Sequence, residues 1–358
     1  MLSVGIVGLP NVGKSTVFNA LSRGGAKVSN YAFCTIDPNR AVVPVPDTRL
    51  DRVAAIFSQS RAVPASIEFV DVAGLVRGAS KGEGMGNQFL AAIREVDALL
   101  HVVRCFPDPQ VPHVEGDLDP LRDLEIVELE LILADLESVA RRRERLAAGL
   151  KARRKEAEVE AAALDRIAAH LDAGHPARTL DHRQELLAAA EVFLLTGKPQ
   201  IVLANVGEEP APAQQALARL KERATGQVVA VPGKLEADLS ELADDEREAF
   251  AAEFGLSGDG LAQVVRACYQ ALSLVTFYTG VGAEARAWPV VKGARLAEAA
   301  GKIHSDMERG FIRAEVIPWE HLDAAGSWTE AHRQGLVRTE GRDYLVQEGD
   351  VVLVRFQA

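Results

Sequence analysis

Short apolar runs separated by longer mixed segments dominate the first two hundred residues. Nearly unbroken apolar runs cover residues 2–7, 65–70, 98–103 and 200–204, and helix-like stretches lie between most of them. Apolar runs of this length are typical of buried strands, and their alternation with helical segments is typical of α/β folds. We therefore predict an α/β domain built on a doubly wound parallel sheet.

Between the third and fourth runs the pattern becomes helical. Apolar residues recur every three or four positions, at Leu124, Val127, Leu131, Leu133, Leu136 and Val139. Residues 150–171 are rich in alanine, glutamate and arginine, and a Gly-His-Pro turn follows at 174–176. This spacing predicts long antiparallel helices. We expect residues 121–195 to form a helical hairpin inserted into the α/β domain, with a last helix over 184–195.

The pattern changes again after residue 272. Strand-like runs cover 275–279, 287–291, 314–317 and 351–356, and a helix is expected over 296–309. Such a mixture predicts a small α+β module. The predicted domains are therefore residues 1–120 with 196–273, the insertion 121–195, and a C-terminal domain over 274–358.

The first apolar run leads directly into GLPNVGKST, residues 8–16. This segment fits G-x-x-x-x-G-K-[ST], in which a glycine-rich turn and the following helix direct backbone N–H groups at phosphate oxygens. Lys14 is expected to reach the β- and γ-phosphates, and the Ser15 hydroxyl to bind Mg²⁺. Asn11 could coordinate a K⁺ ion between the phosphates or simply shape the loop. The predicted phosphate-binding residues are Asn11, Val12, Gly13, Lys14, Ser15 and Thr16.

Three other residues, each later in the chain, complete the predicted magnesium and γ-phosphate site. Asp71 ends an apolar run and could hold Mg²⁺ through water, and the Gly74 N–H could meet the γ-phosphate. Thr35 lies in a polar stretch where a switch threonine could close over the metal. The alternatives are a strand-capping aspartate and an ordinary loop threonine. Ser15, Thr35 and Asp71 are thus the predicted metal ligands.

The residue after Gly74 is Leu75, where signalling GTPases carry the glutamine that orients the attacking water. Leucine cannot orient water, so another group must act or turnover will be slow. His113, in the loop PDPQVPHVEG, is the candidate, with a solvated loop histidine as the alternative. The predicted catalytic residues are His113, Gly74 and Lys14.

The fourth apolar run ends at Asn205-Val206-Gly207-Glu208, where a base-recognition motif is expected. The guanine-specific form is N-K-x-D, but here the lysine is absent and the acid is one methylene longer. Asn205 could make a two-pronged contact with the N6 and N7 edge of adenine. We predict that Asn205, Val206 and Glu208 bind the base, and that the base is adenine.

Together these segments resemble the YchF, or Obg-like ATPase, family. The resemblance is carried by GLPNVGKST, NYAFCTIDPN, DVAGLVRGASKGEGMGNQFL, the Asn-x-x-Glu at 205–208 and GFIRAEVI. It implies a preference for ATP, a coiled-coil insertion at 121–195, a ubiquitin-like TGS module at about 275–358 and association with the ribosome. The chain departs from the family pattern at Pro232-Gly233-Lys234, where Ser-Ala-Lys is usual.

Charge bears on the expected partners. The 358 residues carry a net charge of −11, which disfavours binding of nucleic acid by bulk attraction. Residues 141–155, however, hold eight basic residues and a single acidic one, Glu144. This run could grip RNA phosphates, or it could be a solvated helix face. We expect ribosomal RNA or ribosomal proteins to contact the coiled-coil insertion and the TGS-like module.

Other features constrain the location and the assembly. Three widely spaced cysteines fit neither a disulfide framework nor a metal site, and no apolar run is long enough to span a bilayer. The interpretation is a cytoplasmic monomer with Mg²⁺ and ATP as ligands and without a membrane partner. Three other functions remain open: a GTPase in ribosome assembly, a phosphotransferase with a small acceptor, and a nucleotide-gated binding module with negligible turnover.

Overall fold

The computed structural model describes residues 1–28, 39–72, 85–152, 154–181, 191–208, 213–242, 246 and 260–357. The chain divides into two compact units. The first contains Met1–Val42 and Glu68–Cys268, and the second contains Val43–Ile67 and Tyr269–Ala358. Strands and helices are numbered below in chain order over the described residues.

A six-stranded sheet forms the centre of the first unit, in the order β2-β4-β1-β5-β6-β7. Strand β1 pairs in parallel with β4 and β5, and β6 pairs in parallel with β5 and β7. Every residue of β1, β5 and β6 is buried. Because successive side chains point to opposite faces, these strands are covered on both sides. The strands are β1 (Ser3–Val7), β2 (Arg40–Pro44), β4 (Ser66–Asp71), β5 (Ala98–Arg104), β6 (Gln200–Asn205) and β7 (Val228–Val231).

Helices surround this sheet and follow its strands in sequence. Helix α1 packs against α8, and α4 packs against β5 and α7. The helices are α1 (Lys14–Val28), α3 (Met85–Glu95), α4 (Pro120–Arg145), α5 (Ala147–Lys151), α6 (Lys155–Asp172), α7 (Gln214–Arg223), α8 (Gly233–Glu241) and α9 (Gly260–Ala271), whose last residues belong to the second unit. The first unit also contains 3-10 turns at Ala177–Thr179 and Leu195–Gly197.

The inserted helices form a hairpin of α4 and α6, joined by the short α5. Ile132 and Val139 of α4 pack with Leu164, Ile167 and Leu171 of α6. Ion pairs also join the helices, since Arg142 binds Glu160 at 2.6 Å and Arg143 binds Asp165 at 2.8 Å. Because only the short α5 separates α4 from α6 and the two helices pack together, the pair is antiparallel.

A buried carboxylate ties the hairpin to the chain that re-enters the sheet. Asp135, in the middle of α4, is fully buried. It accepts hydrogen bonds from the Leu195 N–H at 2.7 Å, the Thr196 N–H at 2.8 Å and the Thr196 hydroxyl at 2.6 Å. Burial raises the pKa of Asp135 although these donors act to lower it. The turn Leu195–Gly197, which precedes β6, is therefore held by α4.

The second unit is built on its own six-stranded sheet, in the order β11-β10-β12-β8-β9-β3. The adjacent strands β8 and β12 are parallel, and β9 and β10 pair with them antiparallel. Phe277, Val316 and Val352 of this sheet join α10 in one apolar core. The strands are β3 (Ala62–Val63), β8 (Leu274–Thr279), β9 (Ala285–Val291), β10 (Phe311–Pro318), β11 (Arg338–Glu340) and β12 (Asp350–Phe356). The helices are α2 (Thr48–Ile56), α10 (Leu296–Ile303), α11 (Ser305–Arg309), α12 (Trp319–Ala325) and α13 (Trp328–Arg333).

Residues 43–67 belong to the second unit, although about two hundred residues separate them from the rest of that unit in the sequence. Strand β3 pairs with the edge of β9, and the buried Tyr278 hydroxyl donates to Asp47, which caps α2. Arg49 lies 5.5 Å from the centre of the Tyr278 ring and binds Glu348 at 2.6 Å. This grouping differs from the predicted boundaries, since the sequence places residues 43–67 in the first domain. The division into three domains stays a prediction.

The α/β class, the parallel sheet and the C-terminal α+β class are confirmed by the strand pairings. Strands β2, β3, β7 and β11 were not predicted, because each lies at an edge of its sheet and includes exposed or half-buried positions. The helix expected over 296–309 is two helices, since His304 takes an extended conformation and caps α11. Most of the helix expected over 184–195 lies outside the described residues. Among the described helices, none has the length and hydropathy that crossing a bilayer requires.

Candidate functional site

The site lies at the carboxyl ends of the parallel strands. Strand β1 lies between β4 and β5. The chain forms β2 and β4 on one side of β1 and then β5, β6 and β7 on its other side, so the strand order changes direction at β1. In open α/β sheets such a switch point leaves a crevice where ligands bind. Here the GLPNVGKST loop leaves β1, and α1 begins at Lys14.

The backbone of this loop adopts conformations that favour glycine. Gly8, Asn11 and Gly13 have positive φ angles of 150°, 64° and 99°. A Cβ atom built on Gly13 would lie 2.2 Å from Nδ2 of Asn205, so a side chain at this position would strain the loop and displace Asn205. The tight turn leaves its amide groups and the N-terminus of α1 available to an anion.

Lys14 is the buried cation of the loop. Its side chain is 8% exposed, and Nζ donates to the Leu9 carbonyl at 2.8 Å. Burial lowers the pKa of Lys14, and the charge of Asp71 acts in the opposite direction. An ammonium group that is desolvated and has a neutral carbonyl partner is well suited to bind an anionic phosphate.

Ser15 and Asp71, two of the predicted metal ligands, are brought together. The Ser15 hydroxyl donates to Oδ2 of Asp71 at 3.0 Å. Burial raises the pKa of Asp71, while Ser15 and Lys14 act to lower it. Over the described ranges, no group of three or more His, Cys, Asp or Glu residues could hold a metal. The hydroxyl and carboxylate fit Mg²⁺, which keeps water and phosphate oxygens as its other ligands.

Next to the loop lies a cavity of about 700 Å³, within the range usual for small-molecule sites. The phosphate loop forms one side, the segment 104–111 after β5 forms another, and 205–208 together with 232–235 complete it. Asn11, Gly13, Thr16, Asn205, Val206 and Glu208, all predicted to bind the nucleotide, line this cavity. Val12 is 1% exposed and contributes its carbonyl to the framework.

Asn205 holds this framework together. Its Nδ2 donates to the Val12 carbonyl at 2.9 Å, and its Oδ1 accepts from the Gly233 N–H at 3.0 Å. Both polar atoms of the predicted base reader thus already have partners in the protein. Glu208 is exposed at the rim, 4.0 Å from Nζ of Lys234. The contact of Asn205 and Glu208 with a base stays a prediction.

His113 lies outside the residues that line the cavity. Its side chain is 5% exposed, with Nε2 2.7 Å from Oδ2 of Asp123 at the start of α4. The Glu115 N–H donates to Nδ1, so the ring proton is assigned to Nε2. Burial raises the pKa of Asp123, and His113 acts to lower it. In this arrangement His113 joins the loop after β5 to α4, and its catalytic role stays a prediction.

Two of the predicted site residues, Thr35 and Gly74, fall outside the described residues, as does Leu75. One structural element of the site was not predicted. Arg104, at the end of β5, is 3% exposed and binds three carbonyls of the following loop. The repeated prolines in FPDPQVP, residues 106–112, were the available signal for a shaped loop.

Comparison with known proteins identifies chains that are similar to this one in sequence and structure. The family model described as "50S ribosome-binding GTPase" matches residues 3–134, and the YchF-GTPase_C model, described as a protein of unknown function, matches residues 274–357. "Ribosome-binding ATPase YchF" of Bacillus subtilis is 44% identical over 362 residues and 99% of both chains. The protein of the same name from Escherichia coli O157:H7 is 46% identical over 97% of both chains. The structure of the Schizosaccharomyces pombe YchF GTPase aligns with a TM-score of 0.86 and 33% identity, over 99% of this chain and 97% of that one.

Proposed function

The chain belongs to the YchF family, and from that premise we propose that it is a ribosome-associated ATPase that acts as a nucleotide-dependent switch in translation and stress responses. The site of hydrolysis is the crevice at the carboxyl end of β1. ATP binds there with Mg²⁺ and is hydrolysed to ADP and phosphate. We place this activity in the cytoplasm and expect a monomer.

One observation carries the proposal. A desolvated Lys14, the Ser15–Asp71 pair and the cavity lined by Asn205 lie around one loop of positive-φ backbone. These parts correspond to the β- and γ-phosphate contacts, the magnesium ligands and the base pocket of a P-loop nucleotide hydrolase. A chance glycine-rich turn would not bring together a cation, an oxygen pair and a cavity of nucleotide size.

Each residue of the site has a proposed role in binding or hydrolysing the nucleotide. The loop amides and Lys14 bind the phosphates, and Ser15, Asp71 and Thr35 hold Mg²⁺, which neutralises phosphate charge when bound. The Gly74 N–H is proposed to contact the γ-phosphate. His113 leaves Asp123 and orients the attacking water. Asn11 is proposed to shape the loop, with K⁺ coordination as its second role.

The residues near the base decide whether ATP or GTP is the proposed nucleotide. The Bacillus subtilis relative is named an ATPase, whereas the Schizosaccharomyces pombe relative is called a GTPase. We favour ATP, because Glu208 is longer than the aspartate that pairs with guanine and no lysine follows Asn205. The alternative is a GTPase of the same fold acting in ribosome assembly, and the second alternative is a nucleotide-gated binding module with negligible turnover.

A competition experiment tests the choice of nucleotide. ATP is expected to displace a fluorescent nucleotide from the purified protein at least about tenfold better than GTP, a difference of about 1.4 kcal/mol. Glu208→Asp should narrow this ratio, because the shorter acid is the one that fits guanine. Equal or better competition by GTP with the unaltered protein would contradict the proposal and favour the GTPase.

The hairpin is the proposed ribosome-binding element, and its basic run is less free than its sequence indicates. Arg141, Arg142 and Arg143 are paired with Glu137, with Glu160 and Glu191, and with Asp165. Four exposed cations at the turn between α4 and α6 form no ion pair with any described residue. They are Arg145, Lys151, Arg154 and Lys155, called the hairpin tip below. Exposed cations without an acidic partner among the described residues are well placed to bind RNA phosphates.

Reversing two charges of the hairpin tip tests this surface. Lys151→Glu with Lys155→Glu should weaken co-sedimentation with ribosomes by about 10- to 100-fold and reduce the slope of log K against log salt by about 1.5–2. ATP binding should be unchanged. The matched control is Arg219→Glu with Lys221→Glu on α7, which changes the same net charge away from the tip. Equal loss in both double variants would indicate a general charge effect and contradict the assignment.

A further inference from the structure

The buried guanidinium of Arg104 organises one wall of the candidate nucleotide cavity. Its Nε donates to the Phe106 carbonyl at 3.0 Å, Nη1 to the Val111 carbonyl at 2.9 Å and Nη2 to the Asp108 carbonyl at 3.1 Å. The guanidinium carbon lies 5.0 Å from the centre of the Phe106 ring. No acidic side chain in the described part of the chain forms an ion pair with Arg104. This cation is therefore committed to the backbone of a single loop.

The three acceptor carbonyls share one property in the sequence. Phe106, Asp108 and Val111 each precede a proline, at positions 107, 109 and 112. A peptide unit before proline has no N–H, so its carbonyl is the only polar group that can be bonded there. Proline also fixes its own φ and confines the preceding residue to extended conformations. The spacing of prolines thus presents carbonyls to Arg104 and stiffens the chain between them.

We call residues 106–111 the wall loop, because all six line the cavity. The chain just beyond it is held from a second direction, since Nδ2 of Asn11 in the phosphate loop donates to the Pro112 carbonyl at 3.3 Å. Within the wall loop, the Gln110 N–H donates to Asp108 at 2.9 Å. The wall is therefore shaped before any ligand enters, by three bonds from Arg104 and by the flanking bond from Asn11.

We propose that Arg104 is a positioning residue for base selectivity: it holds the three pre-proline carbonyls so that the wall loop presents one rigid surface to the purine. This inference rests on the proposed nucleotide-binding function. A rigid surface fits one purine and resists adjusting to another, so selectivity follows from pre-organisation. Arg104 does not need to touch the nucleotide. Loss of the three hydrogen bonds from Arg104 lets the wall loop adapt to both bases.

The experiment measures ATP and GTP competition against a fluorescent nucleotide for Arg104→Lys and Arg104→Met. An ammonium cannot reproduce the planar fork that reaches three carbonyls. The ATP-to-GTP selectivity is expected to fall about tenfold or more in Arg104→Met and partly in Arg104→Lys. Competition by inorganic tripolyphosphate should change less than threefold, because it contacts the phosphate loop and no base wall. Pro107→Ala with Pro109→Ala, which keeps Arg104, should also reduce selectivity.

Arg178→Lys is the matched control. Arg178 is a half-buried arginine that binds Thr225, Gln200 and the Thr196 carbonyl and forms an ion pair with Glu128, and it does not line the cavity. It should lower stability and leave the selectivity ratio unchanged. If the Arg104 variants lose stability as Arg178→Lys does but keep the selectivity of the unaltered protein, the role is structural and the inference is overturned. An unaltered protein that binds ATP and GTP equally also overturns it, whereas one that binds neither nucleotide contradicts the proposed function itself.

Discussion

Replacing Lys14 with methionine should reduce ATP hydrolysis by about a thousandfold or more, a loss of about 4 kcal/mol of transition-state stabilisation. Lys14 is the buried cation of the phosphate loop, and its Nζ donates to the Leu9 carbonyl. In a site of low dielectric, a preorganised charge contributes far more than in water. Methionine fills similar space without the charge, so the fold should persist. Phosphate release under single-turnover conditions on ribosomes measures the effect directly.

A second lysine provides a control of matched chemistry. Lys198 is also partly buried, also has its pKa lowered by burial, and also donates to backbone carbonyls, those of Arg94 and Val96. It lies outside the phosphate loop, just before β6. Lys198→Met should therefore keep hydrolysis within about threefold of the unaltered protein, less than about 0.7 kcal/mol. Equal activity of Lys14→Met and Lys198→Met would mean that the phosphate loop is not the site of hydrolysis.

Asp135→Ala should lower the free energy of unfolding by about 3–5 kcal/mol, a large fraction of the stability of a typical domain. The substitution leaves two backbone N–H groups and one hydroxyl without their acceptor, in a place closed to water. Thr196 in turn accepts from the Ala177 N–H, so the loss extends to a second turn. Asp135→Asn keeps one acceptor oxygen and should lose less.

Urea unfolding followed by circular dichroism measures this loss. The control is Asp165→Ala, which removes an exposed carboxylate paired with Arg143 and should cost at most about 1 kcal/mol. We further expect Asp135→Ala to loosen the hairpin first, which hydrogen exchange at α6 would detect. If both alanine variants unfold at the same urea concentration, the buried carboxylate does not anchor the hairpin.

The geometry of the candidate phosphate loop was predictable because its residues are consecutive. The motif at 8–16 determines a turn, a helix start and a lysine position, and the structure brings Asp71 to Ser15 as the strand end at 71 indicated. Asn205 shows the limit of such reasoning. Its position at the end of β6 was evident from the sequence, but its bonds to Val12 and Gly233 join positions distant in sequence, which no local pattern reveals.

The charge of the hairpin shows the same limit. The basic run at 141–155 was evident, yet the acidic partners of Arg142 and Arg143 lie on α6 and beyond, about twenty to fifty residues away. Only the packing of α4 against α6 shows which cations are neutralised. Arg104 is the converse case, because a single arginine in a buried strand carries no signal until the loop around it is seen.

The split composition of the second unit has a consequence for biosynthesis. Residues 43–67 supply α2 and β3, whose buried Leu50, Val53 and Val63 pack within that unit. During translation these residues emerge early, while the strand that pairs with β3 follows about two hundred residues later. Strand β3 therefore has no β9 to pair with while the whole parallel sheet is being synthesised. The second unit is thus completed only after β8 to β12 have been synthesised, and a polypeptide that stops before β8 leaves this apolar segment without its cover.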